Sequence, residues 1–405
     1  MRILYHHRTF SGDGQEVHIR AIIRALREEG HEVREVALVR KDPQLASHRG
    51  AGRVAGPARR LLGSVRGLPQ PVLEVVEHSY SVVGAAWLVL AGLHFRPDFL
   101  YERYAFGNAA GVLAARLLRR PVVLEVNAPL VQELSLTRKL VFEGIARRLQ
   151  RRILSSADLV CAVSRELAAI LATEGVPKDR LVVVPNGVDL NAYRYPPTAA
   201  ARESARRALG LAPESVAEPP ETVVGFVGYF RRWHGLDVLL RAVAECPDRS
   251  IRLVLIGDGP QKKHLWRLAG SLGIAERVRF AGVRPAAEIP QLLPAFEVAV
   301  VASAVSYSAP LKLTEYMAAG VAIAAPDQPN ITSLVSDRGE ALLFEPGSVG
   351  GLARALAELA ADPELRRRLG AAARAAIERR QLTWKAAARR VVEALRSSSP
   401  RVAPE

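Results

Sequence analysis

The run SYSAPLKLTEYMAAG, Ser306–Gly320, sets a cation and a carboxylate about one helical turn apart behind a proline. The pattern predicts a helix with Pro310 in its first turn and with Leu311, Leu313, Met317 and Ala318 buried. Unbonded amides of the first turn, with Lys312 beside them, make an anion site of the kind that holds a diphosphate. Glu315 follows where a carboxylate accepts hydrogen bonds from a ribose diol. A capped surface helix whose Lys and Glu merely meet solvent would present the same residues, if the run stood alone. Gly14 lies between a first strand and a helix, where bare backbone approaches a phosphate closely; a simple turn glycine reads the same way. Polar residues also end two strands. YERY (Tyr101–Tyr104) places Glu102 and Arg103, which are expected to open into one space, and LEVNAP (Leu124–Pro129) places Glu125 and Asn127, suited to ligand hydroxyls.

The elements that must position these groups alternate along the whole chain. Ile3–Tyr5, a helix with Ile19, Ile22, Ile23 and Leu26 on one face, and Val33–Val39 form the first β/α/β unit. Further strands are expected at 99–101, 122–126, 159–163 and 181–184, then at 223–227, 251–256, 278–280, 298–301, 321–324 and 342–344. Such alternation implies parallel sheets covered by helices on both faces. A stretch rich in Pro, Ala and Glu over 194–221 reads as a linker between domains at 1–193 and 222–382, with a last helix over about 383–397 returning to the first. Residues 40–71 read as an irregular basic excursion with one short helix. Two doubly wound halves place a ligand cleft between them, at the carboxyl ends of the strands.

The chain has 405 residues, a net charge of +15 and two cysteines, Cys161 and Cys246. No CxxC or His-rich spacing accompanies the cysteines, so neither a disulfide framework nor a structural zinc is expected, and a reducing cytoplasm suits them. The first residues lack the zones of a signal peptide. The apolar run Val82–Leu93 is short of the ~20 residues of a spanning helix and reads as a buried one. Thr137–Leu154 predicts one basic amphipathic helix, with Leu140, Ile145, Leu149 and Ile153 along one side. That helix either packs on the first sheet with a solvated charged face or rests on anionic lipid, at the inner face of the membrane. Charge alone would suggest nucleic acid, but no RNP-like, zinc-finger or helix-turn-helix pattern supports it, and no nucleic-acid partner is expected.

VPNGVD (Val184–Asp189), LVLIGDGP (Leu253–Pro260), VRFAGVRP (Val278–Pro285) and the ending EYMAAG resemble the retaining glycosyltransferases of family 4, in order and spacing. SGDGQEVHIRAIIRALREEGHEV (Ser11–Val33) looks like that family's glycine-rich first loop, and ADLVCAVSREL (Ala157–Leu167) like its strand before the interdomain connection. The resemblance implies a GT-B fold, α/β, with two Rossmann-like domains facing a central cleft. It implies a nucleotide-diphosphate sugar donor, UDP before GDP, and a glycan, lipid-linked or small-molecule acceptor. The donor would meet Gly14, Arg232, His234, Gly257, Gly282, Val283, Ala309, Pro310, Leu311, Lys312 and Glu315. The acceptor side would carry His18, Glu102, Arg103 and Glu125, and the catalytic set would be Arg231, Lys312, Asn127 and His18. Retaining enzymes of this family are thought to let the leaving diphosphate take the acceptor proton, leaving positioning and charge to the protein. No DxD-type pair occurs in a suitable place, so neither a metal nor another cofactor is expected. Three departures stand out: His234 replaces the usual Lys in GYFRRWHG (Gly228–Gly235), Tyr307 replaces the first of two glutamates, and Asn127 lies where a His is frequent. Other readings are a GT-B phosphorylase or epimerase, or a basic protein that binds nucleic acid or a membrane surface.

Overall fold

Among the described residues the short apolar runs become twelve strands, six in each of two sheets, every pair parallel. They belong to a computed structural model, which describes residues 1–9, 14–37, 69–213 and 221–398. Contacts divide the chain into one unit of Met1–Pro185 with Trp384–Glu405 and a second of Asn186–Thr383.

In the first unit the strands are β1 (Arg2–His7), β2 (Glu32–Ala37), β3 (Phe99–Arg103), β4 (Val122–Val126), β5 (Leu159–Ala162) and β6 (Leu181–Val183). Their order is β2-β1-β3-β4-β5-β6. β1, β3, β4 and β5 are buried along nearly their whole lengths, because helices cover both faces, and this is why they read as apolar runs without alternation. The helix Gly14–Glu28 buries Ile19, Ile22, Ile23 and Leu26 as its periodicity requires. The helix Trp384–Ser398 packs on it through Ala388, Val391 and Leu395, with Lys385–Glu28 and Arg389–Glu29 ion pairs at the rim. Cys161 is buried in β5.

Two expectations for this unit give way. Val82–Leu93 is the second half of a 26-residue helix, Gln70–Phe95, whose Val82, Leu90 and Leu93 are 71%, 66% and 65% exposed. Only its Tyr80, Gly84, Ala85, Leu88, Gly92 and Phe95 side turns inward, largely onto the helix Ala110–Leu118. The basic stretch 137–154 is not one helix. Leu130–Arg138 ends at Lys139 in a left-handed conformation, and Glu143–Ser155 starts afresh, burying Ala146, Gln150, Ile153 and Leu154 while Ile145 faces solvent. Of the excursion expected over 40–71, residues 40–68 lie outside the described residues, while Gln70 and Pro71 open the long helix.

The second unit contains β7 (Thr222–Val227), β8 (Ile251–Ile256), β9 (Val278–Gly282), β10 (Val298–Val300), β11 (Ala322–Pro326) and β12 (Leu342–Phe344), ordered β12-β11-β10-β7-β8-β9. Its topological switch point lies between β7 and β10, from which the chain winds outward both ways. The stretch expected as a linker at 194–221 instead lies within this unit and carries the helix Ala199–Ala208, capped by the Thr198 hydroxyl. The boundary lies earlier, at Pro185–Asn186, because Asn186 and Val188 bond to Ala309 and Leu382 of the second unit. The helices Val349–Ala361 and Pro363–Arg379 complete the packing, the second capped by Asp362.

Candidate active site

At the β7/β10 switch point the loop Gly228–Gly235 leaves β7, and the loop leaving β10 leads to the helix Leu311–Ala319. Pro310 is the residue before that helix, not its first turn, and offers no side-chain cap. The Leu313 amide bonds to the Pro310 carbonyl, whereas Leu311 and Lys312 stand where a helix has no internal acceptor for its amides. Leu311 is only partly buried, since it begins the turn that opens to the site; Leu313, Met317 and Ala318 are in the core as expected.

Lys312 bends back over the β7 loop. Its Nζ lies 4.1 Å above the Phe226 ring and donates to His234 Nδ1 at 3.2 Å. Burial pushes this ammonium down to about 7, with Glu315 pulling the other way. Burial likewise raises the Glu315 carboxyl to about 7, against the pull of Lys312. His234 is held down to about 3 by burial and by Lys312 and Arg231, so its ring is neutral. With Nδ1 accepting, the ring proton sits on Nε2, which becomes a donor for a ligand. Tyr316, one residue beyond Glu315, accepts the Val227 amide at 2.8 Å and so pins this helix to the end of β7.

Three glycines end β7, β8 and β9 in one backbone ladder: the Gly228 amide bonds Ile256, and the Gly257 amide bonds Gly282. A Cβ on Gly257, at φ +140°, would lie 1.9 Å from the Gly228 carbonyl oxygen; one on Gly228 would meet Lys312 Nζ at 3.2 Å. Close backbone approach fixes glycine at 257, whereas at 228 it is the backbone conformation, φ +149°, that favours glycine, with the Lys312 and Phe226 side chains close by. Val283 beyond Gly282 is exposed. Arg231 and Arg232 are exposed too, the Arg231 guanidinium resting 4.9 Å over Tyr229 and 5.1 Å over Trp233.

In the first unit, β3 and β4 pair Arg103 with Glu125 and Glu102 with Leu124. Alternation along β3 then sends Glu102 and Arg103 to opposite faces, so the expectation that both open into one space fails. Glu102 accepts from Asn108 and the Gly111 amide and sits 2.5 Å from His6 Nδ1, whose Nε2 is 3.0 Å from the Tyr80 hydroxyl. On the other face, Glu125 accepts from Arg103 at 2.5 Å, Asn127 at 2.7 Å and Tyr101 at 3.0 Å. His18 Nδ1 joins it, 3.1 Å from Arg103 and 3.4 Å from Glu125, with Trp384 edge-on to its ring. Burial disfavours the Glu125 carboxylate, yet His18, Arg103, Asn127 and Tyr101 together hold its pKa below the ordinary value. Four of the residues singled out from sequence thus meet in one buried network, beside a small cavity also lined by Val184 and Pro185. Gly14 opens its helix, and the loop before it, 10–13, lies outside the described residues.

Comparison with known proteins decides what this architecture belongs to. Residues 12–192 match the family described as glycosyltransferase family 4, and residues 212–376 match glycosyl transferases group 1. A D-inositol 3-phosphate glycosyltransferase of Corynebacterium aurimucosum is 31% identical over 305 residues, 72% of this chain and 69% of that protein. The chain belongs to glycosyltransferase family 4. The corresponding Nocardia farcinica enzyme is 32% identical over 286 residues; they make up 67% of this chain and 61% of that relative's length. The Anabaena protein HepE, crystallised with UDP-glucose, superposes with a TM-score of 0.73 at 22% identity, covering 98% of this chain and 100% of that one. The fold is therefore GT-B.

Sequence reasoning about this family-4 member passed over one residue of the second unit. Asn186, in VPNGVD, is buried, donates to the Ala309 carbonyl at 2.6 Å, and has an Oδ1 with no hydrogen-bond partner. The motif drew attention only as a resemblance. Its physical task, tying the first residues of the unit to the loop before Pro310, needs a contact across 123 residues that spacing does not reveal.

Proposed function

We propose that this protein transfers a hexosyl group from UDP-sugar to a hydroxyl of an acceptor, with retention of configuration and without a bound metal. The observation that carries the reading is the cluster of Lys312, the neutral His234 and the Leu311 and Lys312 amides at the β7/β10 switch point. An ammonium that burial holds down to about 7 gains its charge fully when a diphosphate arrives beside it. Gly228 and Gly257 keep side chains out of the same place.

In the proposed reaction the bond from the anomeric carbon to the diphosphate oxygen breaks, and the acceptor oxygen bonds that carbon on the same face. The acceptor proton passes to the departing diphosphate. Lys312, Arg231, His234 Nε2 and the helix amides stabilise the charge that develops there, as fixed donors do in a preorganised site. Glu315 accepts from the ribose hydroxyls. The buried Arg103–Glu125 network with His18 and Asn127 positions the acceptor hydroxyl. Relatives named for inositol 3-phosphate make a cyclitol the first acceptor to try. The test is proton NMR of the product formed from UDP-glucose and an inositol acceptor, in EDTA. An axial anomeric linkage supports the reading; an equatorial one, or activity restored only by a divalent cation, refutes retention or metal independence respectively.

Donor binding should be strongest near pH 7. The diphosphate needs Lys312 charged, so affinity is full below its pKa of about 7 and falls as pH rises through it. The ribose needs Glu315 ionised, so affinity falls on the other side, as pH drops through about 7. Glu315→Gln should weaken UDP binding by about 1–3 kcal/mol at neutral pH and flatten the acid limb, as read by calorimetry across pH. An unaltered acid limb would remove Glu315 from the site.

A further inference from the structure

The long helix Gln70–Phe95 leaves a continuous apolar stripe in water. Val76, Val82, Val83, Trp87, Leu90 and Leu93 are all exposed and recur at helical spacing. Among the described residues it is the helix long and apolar enough to cross a bilayer, with a mean hydropathy of 1.3 over its best window. It cannot do so in this fold. Its inner side carries the fully buried Glu74, whose carboxylate accepts the Val141 and Phe142 amides, and Gly92 packs on Leu118. Withdrawing that side into lipid would strand a carboxylate and the two amides it accepts from.

The same Glu74 contacts bring a second apolar group to the start of the stripe. Leu136 (86% exposed), Val141, Phe142 and Ile145 stand at the corner between the helices Leu130–Arg138 and Glu143–Ser155. Arg138 pairs with Glu77 at 2.9 Å across the junction. Lys139, Arg148, Arg151 and Arg152 project into solvent from the corner and the helix that follows.

We propose that the stripe and this cationic corner form one docking surface for an anionic phospholipid bilayer, on which Gln70–Phe95 lies flat with its outer half in the headgroup region. Charge decides the occupant. Acidic headgroups match Lys139, Arg148, Arg151 and Arg152, which project into solvent, and the acyl boundary takes the apolar side chains. The surface comes from observations unrelated to the donor site, so it stands or falls apart from the transfer reaction.

The experiment uses the full chain with vesicles of phosphatidylcholine and phosphatidylglycerol in equal parts, and of phosphatidylcholine alone, at low salt. Sedimentation with the mixed vesicles and little with the neutral ones is expected. The double variant Val83→Asp, Leu90→Asp should lower partitioning at least about tenfold, and each of Arg148→Glu, Arg151→Glu and Arg152→Glu by about fivefold or more. These residues are exposed, so circular dichroism and UDP affinity should stay at wild-type values and exclude unfolding as the cause. Wild-type protein remaining in the supernatant would overturn the proposal. So would equal binding to both vesicle types, or a dimer in sedimentation equilibrium that the aspartate variant dissolves.

Discussion

Lys312→Met is expected to lower kcat/KM for the sugar donor by about 10²–10³-fold while leaving the melting temperature unchanged or slightly raised. The magnitude is that of losing one preorganised donor from a charge-stabilising site. The stability half follows from the pKa. A lysine held down to about 7 is one whose ammonium the fold disfavours, so an apolar side chain of similar length removes a cost at neutral pH. Its contribution to stability is lost as pH falls from its unfolded value toward 7, and methionine should abolish that slope. The variant would also lose the alkaline fall in donor affinity. A lysine that served only to pack against Phe226 would show the reverse: normal kcat/KM with a lower melting temperature.

The second large effect is structural. Glu125→Ala leaves Arg103 buried beside His18 with no carboxylate opposite it, and takes the acceptor away from Tyr101 and Asn127. Breaking a buried pair from one side costs about 3–5 kcal/mol, and for a unit of this size that lowers its unfolding transition by roughly 6–20 °C. Replacing both partners, Glu125→Leu with Arg103→Met, should recover most of the loss, because two apolar groups leave no charge uncompensated. If the double variant is as unstable as the single one, shape and not charge governs this position. Acid should act in the same direction: a carboxyl held below its usual range lends stability that is lost as pH falls through that range.

Much of this architecture was legible because parallel strands buried on both faces write themselves as short apolar runs. All twelve strands lie where those runs stand, and Ile19, Ile22, Ile23 and Leu26 turn inward together. Lys312 and Glu315 were legible as a pair because i and i+3 share a helix face. What escaped was whatever depends on a second element. Apolarity alone could not say which side of Gln70–Phe95 is covered, and a continuous hydrophobic run looks alike in a core and on an open surface. The break at Lys139 was hidden because Arg, Lys and Leu are all good helix formers, while the Glu74 carboxylate that takes the Val141 and Phe142 amides comes from 67 and 68 residues away. Glu102 and Arg103 were misread through neglect of the two-residue period of a strand. His234 stands where the family resemblance has a lysine, and spacing could not show that Lys312 reaches the same loop from another helix.

The first unit closes with a segment that follows the whole of the second one in the chain, and this sets an order of events during synthesis. The helix bearing Trp384, Ala388 and Leu395 is made after residues 186–383, so the second unit has its whole sequence before the first does. Until then Ile22 and His18 have no cover on that side. The first unit is thus the last to have its whole sequence, and a chain cut after residue 383 would keep the second unit entire while leaving the first without its closing helix.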